Sequence, residues 1–247
     1  MGLKNLCIEF NIPSDNLDTE TYNSRFRDIN REGDNILQTA IELDAISNHQ
    51  MIVLGGLTTY PQLLGHRFMR RPSNDIDSVI TFEGFFNLSN NFKNSSEFFY
   101  SSDHDGISLI YNNCPIGFWM DEIRNLKLPK DFYDSAVPIF FSNGQVSCCA
   151  PEYTIMLKLR RAKFKKRVYG KDKIDITSLL LAPYFRENLR KVDLDKTSEL
   201  IKEYLSPTDN ELELWTSSLI NAEKQLQDSE KIIFREIYER LTCSLVY

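Results

Sequence analysis

The chain has 247 residues, 35 acidic against 29 basic side chains, a net charge of -6 and 42% hydrophobic residues. These figures exclude a disordered, collagen-like or disulfide-scaffold protein and leave one large domain or two small ones. The acidic balance argues at first against a chain coated for nucleic acid. The five cysteines are odd in number and form no C-x-x-C pair, so neither a disulfide framework nor a thiolate zinc site is expected. No apolar run reaches the roughly 18 residues a membrane span needs, and the N-terminus has no signal-peptide core. A reduced, cytoplasmic protein without a membrane segment is the expectation.

In chain order, apolar residues at Ile36, Leu37, Ala40, Ile41, Leu43 and Ile46 predict a helix over 33–48 with one buried stripe. Met51 to Leu54 is a short apolar run ending at Gly55-Gly56 and predicts a buried strand. A short helix over 57–64, capped by Gly65, and a strand over 75–80 follow. The segment with Phe92, Phe98, Phe99 and Tyr100 is rich in Ser and Asn and reads as a loop with core anchors. Strands over 107–111 and 116–120 flank Asn112-Asn113, and strands over 137–141 and 145–149 flank Ser142-Asn-Gly144, as two hairpins. Pro151-Glu152 opens a helix to Lys163, and the remainder is helical with breaks at Pro183 and Pro207. The organisation is α+β, with a strand-rich region (1–150) followed by a helical C-terminal domain (151–247).

The chemistry-bearing stretch is Gly55-Gly56, eighteen further residues, then Asp75-Ile76-Asp77. Alternation along a strand puts Asp75 and Asp77 on one face, with Ile76 in the core. Two adjacent carboxylates repel unless a cation neutralises them, and oxygen-only ligation suits Mg2+ completed by water and substrate phosphate. The paired glycines bring bare backbone N–H groups to a helix start, where phosphate oxygens bind. The strand from Ile116 ends at Asp121, on the Gly117 and Trp119 face. Lying beside the Asp77 strand, it would supply a third metal carboxylate that also takes the acceptor's proton. Such a constellation is what nucleotidyl transfer from a nucleoside triphosphate (NTP) requires, with two metal ions.

These residues resemble the polymerase-beta-type nucleotidyltransferase superfamily, and more narrowly its AbiEii-like branch of abortive-infection toxins. Gly55-Gly56, Gly65-His66-Arg67, Asp75-Ile-Asp77, Asp121, Lys158 and Lys171-Asp172-x-x-Asp175 occur in that family's order, over roughly residues 35–182. The resemblance implies a mixed five-stranded nucleotidyltransferase-type sheet with flanking helices, metal-dependent nucleotidyl transfer and tRNA as one acceptor. Two features depart from the pattern: a longer span between glycines and carboxylates, and Gly56 where a serine is usual.

From Lys158 to Lys173 there are nine basic residues and one acidic, a local charge of +8 that leaves −14 on the rest of the chain. Such a strip is the footprint expected for a polyanion such as RNA. Lys158 is placed to neutralise charge on the β- and γ-phosphates, with Asp172 and Asp175 holding Lys171 or Lys158. Arg71 is a candidate grip for nucleotide phosphates or an offset to the carboxylates; Arg70 is read as structural. Trp119 either stacks a base or packs in the core. Two other readings stay open: a non-catalytic nucleotide- or RNA-binding module, and an adenylyltransferase acting on a small molecule.

Overall fold

In a computed structural model of the protein, the described residues are 3–12, 14–15, 33–57, 75–95, 97–101, 106–123, 126–185, 189–223 and 226–246. They divide into two compact units, one ending at Cys149 and one beginning at Ala150. The expected features at Gly65, His66, Arg67, Arg70, Arg71 and the helix beyond Leu57 lie outside the described residues.

The first unit contains helices α1 (Leu3–Glu9), α2 (Gly33–Ile46) and α3 (Phe82–Phe92). Its strands are β1 (Ser14–Asp15), β2 (Met51–Val53), β3 (Ile76–Ile80), β4 (Phe98–Ser101), β5 (Gly106–Tyr111), β6 (Cys114–Trp119), β7 (Glu122–Ile123), β8 (Leu126–Lys127), β9 (Val137–Phe141) and β10 (Gly144–Cys148). Among the described residues, eight of these form one mixed sheet in the order β1-β4-β5-β6-β3-β2-β10-β9, and β7 pairs with β8 separately. The sheet is therefore wider than the five strands the family resemblance implies. Both expected hairpins are present, β5–β6 turning through Asn112 and Asn113, which adopt φ of 51° and 56°. Asparagine tolerates that left-handed region better than most residues, which suits a two-residue hairpin turn.

The segment expected to be a loop around Phe92 to Tyr100 instead holds the last residue of helix α3 and strand β4. Thr81 caps α3, its hydroxyl accepting from the Gly84 N–H at 3.2 Å. The apolar spacing Phe85, Leu88 and Phe92 drives one helical face into the core. Phe98 and Tyr100 then alternate into the same core from β4, so the Ser/Asn content masked two elements.

One face of the sheet carries Ile76 and Ile80 of β3, Ile116 and Phe118 of β6, Ile107 and Leu109 of β5, and Val53 and Val146. These pack with Leu6, Ile36, Ala40, Leu43, Phe85 and Leu88 from α1, α2 and α3 into one hydrophobic core. Alternation sends Asp77, Gly117 and Trp119 to the other face. That face is where the sequence-based carboxylates have to be sought.

The second unit is helical: α4 (Pro151–Lys165), α5 (Gly170–Leu181), a 3-10 turn (Ala182–Tyr184), α6 (Leu194–Leu205), α7 (Asp209–Glu223) and α8 (Asp228–Val246). Pro183 and Pro207 mark breaks as expected, the first in the 3-10 turn and the second between α6 and α7. Helix α6 packs against both α4 and α8, and α5 against α7 and α8. Glu152, buried in the first turn of α4, accepts from the Asp193 N–H at 2.8 Å and pairs with Arg190. Asp193 in turn caps α6 by accepting from the Lys196 N–H. Thus the residue that favours the α4 dipole also ties down the start of α6. Among the described residues, no helix is long and apolar enough to cross a membrane.

Candidate functional site

Strand β3 begins one residue after Asp75, which is exposed, and carries Asp77, which is half-buried. Its neighbours are antiparallel β2 and parallel β6, which fix what lies beside each carboxylate. The Leu54 N–H donates to the Asp77 carbonyl at 2.7 Å, so the chain leaving β2 passes next to Asp77. Immediately afterwards Gly55 adopts φ +69°, where a side chain would be strained, and residues 55–57 begin a helical turn. A β-carbon placed on Gly55 would lie 3.6 Å from Asp77 Oδ2.

On the other side, Asp77 pairs with Gly117 of β6, and Gly117 with Ser108 of β5. A β-carbon placed on Gly117 would lie 3.6 Å from Asp77 Oδ1 and 3.3 Å from the Trp119 ring. The Ser78 hydroxyl donates to the Gly117 carbonyl at 3.1 Å, tying the strands together at this level. Asp77 is thus flanked on both sides by glycine, which leaves space at its carboxylate. Trp119 is buried at 5% exposure with its ring across Gly117, which makes it a wall of this site and a packing residue at once.

Asp121 does not join Asp77. Strand β6 does lie beside β3, but in parallel and in a register that sets Gly117 opposite Asp77 and Trp119 opposite Val79. Asp121 is four residues beyond Gly117 and lies past the end of β6, and no metal-holding group among the described residues includes it with Asp75 and Asp77. Its charge instead acts on Tyr133, whose phenol is held above its ordinary pKa by burial first and by Asp121 second. The Tyr133 hydroxyl donates to the Ile80 carbonyl at 3.1 Å, at the opposite end of β3 from Asp75. The two strands are neighbours, as the third-carboxylate expectation required, but the register that separates the carboxylates does not follow from local pattern.

Asp75 and Asp77 offer oxygen donors only, with glycine rather than a bulky side chain flanking Asp77. That donor set fits Mg2+, which retains waters and shares substrate oxygens. Among the described residues, no three His, Cys, Asp or Glu side chains gather so as to hold a metal ion by themselves. The other ligands would accordingly be water and phosphate oxygens. His49, whose Nδ1 lies 2.6 Å from Oδ2 of buried Asp44, belongs to no such group.

Lys158 belongs to the second unit and is buried on α4. Its ammonium donates to Asp175 Oδ2 at 2.6 Å and to Asp172 Oδ1 at 3.4 Å. Both aspartates are on the buried face of α5, three residues apart, and Arg161 adds a contact to Asp172 Oδ1 at 3.7 Å. The spacing of Asp172 and Asp175 anticipated a partner for Lys158, and the burial of all three side chains explains its short distance to Asp175. Lys158 therefore has two carboxylate partners within its own unit.

No family model matches the sequence, and no curated protein matches it. Among solved structures, JHP933 from Helicobacter pylori is similar over 85% of this chain and 91% of its own, at 15% identity and a TM-score of 0.43. A protein from H. pylori provisionally named a nucleotidyltransferase is similar over 91% of this chain and 97% of its own, at 14% identity and a TM-score of 0.42.

Proposed function

We propose that the protein is a metal-dependent nucleotidyltransferase that moves a nucleoside monophosphate from an NTP to a hydroxyl of RNA. The observation that carries this reading is the setting of Asp77, a half-buried carboxylate flanked by Gly55 and Gly117 beside a helical turn. Asp75 and Asp77 would hold Mg2+, which when bound supplies positive charge to the phosphate oxygens and the attacking hydroxyl. Gly55 and Gly56 present backbone N–H groups without side chains, so phosphate oxygens can approach them closely. Gly117 keeps the adjacent strand level low, and the Trp119 ring closes one wall and limits water there. Asp121, beyond the end of β6, is given no part in this step. The order of motifs, rather than any measured likeness, is what favours the toxin-like branch within this class.

The test is incubation of the protein with each of four α-labelled NTPs, Mg2+ and total cellular RNA. Label should enter RNA with at least one nucleotide and should fail to do so with EDTA. Asp77→Asn should abolish labelling at an unchanged unfolding temperature, because a neutral amide preserves shape but weakens metal binding. Undiminished labelling by Asp77→Asn would remove the assignment.

A further inference from the structure

The nine basic residues between Lys158 and Lys173 do not form one uniform strip. Some of them hold the second unit together. Lys158 and Arg161 serve Asp172 and Asp175, while Lys163 donates to the Leu205 carbonyl at 2.7 Å and pairs with Glu211 at 3.2 Å. The same pairing takes the one acidic residue of the stretch, Asp172, out of the surface, since it is buried at 1% exposure. The stretch also carries Arg160, Lys165, Lys166, Arg167, Lys171 and Lys173, on α4, the connecting turn and the start of α5. Lys165, Lys166, Arg167 and Lys171 are exposed.

Helix energetics do not account for this gathering. Cations in the last turn of α4 complement its dipole, which explains Lys165. Lys171 and Lys173 sit in the first turn of α5, where a cation opposes the dipole. Lys166 ends α4 in the left-handed region at φ +50°, an unfavourable place for a long side chain when glycine would serve. Set among these charges is Phe164, 68% exposed, with the Arg160 guanidinium 5.0 Å from its ring centroid. Arg161 and Arg167 approach the Tyr169 ring at 4.5 and 4.3 Å, and a hydrogen bond from Arg167 holds the Tyr169 phenol below its usual pKa. Arg167 is therefore held in place before any ligand arrives.

We infer that the α4–α5 turn is a docking platform for single-stranded RNA, with Phe164 stacking an unpaired base and the six cations tracking the phosphates. This deepens the acceptor assignment above and rests on it for the choice of RNA. An exposed aromatic ring among cations suits a single strand, whose bases are free to stack, better than a duplex, whose bases are already stacked. A lipid surface would need a broad apolar face, whereas the apolar face of α4 is buried within the protein.

The test is fluorescence anisotropy with a labelled 12-nucleotide RNA in EDTA, without NTP, so that catalysis plays no part. Affinity should fall with salt along a log–log slope of up to about −4 for six phosphate contacts to a single strand. K165E/K166E/R167E should cut the slope by about half, and Phe164→Ala should weaken single-strand binding about tenfold while leaving the slope unchanged. All four side chains are exposed, so neither variant disturbs the core. A flat salt response, wild-type affinity in both variants, or equal affinity for a duplex of the same sequence would each overturn the platform. Because the assay omits metal and nucleotide, its failure leaves the Asp77 labelling result standing, and failure of labelling leaves the binding result standing.

Discussion

Asp77 owes its chemical setting to the residues on either side of it. The D-x-D spacing singles it out, and the alternation Ile76-in, Asp77-out follows from strand geometry alone. Gly55 was equally legible, as part of a double glycine closing an apolar run. Gly117 was not, because its importance lies in facing Asp77 across a register that local pattern leaves open. Lys158 teaches the complementary lesson: its partners were readable as an i, i+3 pair, but its burial was not. Removing that ammonium by Lys158→Met would take the shared cation from two buried carboxylates. Urea unfolding should show a loss of about 3–5 kcal/mol, much of it recovered when Asp172 and Asp175 are made Asn in the same chain. Equal stability of Lys158→Met and the wild type would show that the cluster is not stabilising.

At the scale of elements, apolar periodicity located α2, β2, β3, β9, β10 and α4 to within a few residues. It missed α3 and β4, where Ser and Asn are common enough to resemble a loop. There the deciding features were the Thr81 cap and four aromatic residues, Phe85, Phe92, Phe98 and Tyr100, that reach the core only when the segment folds as helix then strand. The end of β3 offers a test through Tyr133. Its phenol, donating to the Ile80 carbonyl, holds its proton more tightly in the folded than in the unfolded chain. That contribution is complete below the ordinary tyrosine pKa of about 10 and is lost as pH rises beyond it. The stability advantage of wild type over Tyr133→Phe, followed by thermal unfolding from pH 8 to 11, should be constant at first and then shrink. A constant difference across the whole range would mean that Tyr133 does not titrate with unfolding.

For the whole molecule, a net charge of -6 conceals a division between a +8 stretch and a −14 remainder. Lys158, Arg161 and Lys163 pair with carboxylates within the second unit, and Asp172, the one acidic residue of the stretch, is buried. Local fields from such a cluster act over about a Debye length, so the rest of the chain does not cancel them at contact range. The protein, though acidic with a pI near 5.2, should be retained on heparin at pH 7 and low salt. K165E/K166E/R167E should pass through, and retention of that variant would place the cationic surface elsewhere.

The sequence by itself determined the α+β order, Asp77 on its strand, the glycine turn ahead of it and the basic stretch, because each rests on local spacing and periodicity. Only the tertiary structure decided that Gly117 rather than Asp121 faces Asp77, and which of the nine cations reach solvent. Both depend on strand register and on burial, which are set by contacts between residues far apart in the chain.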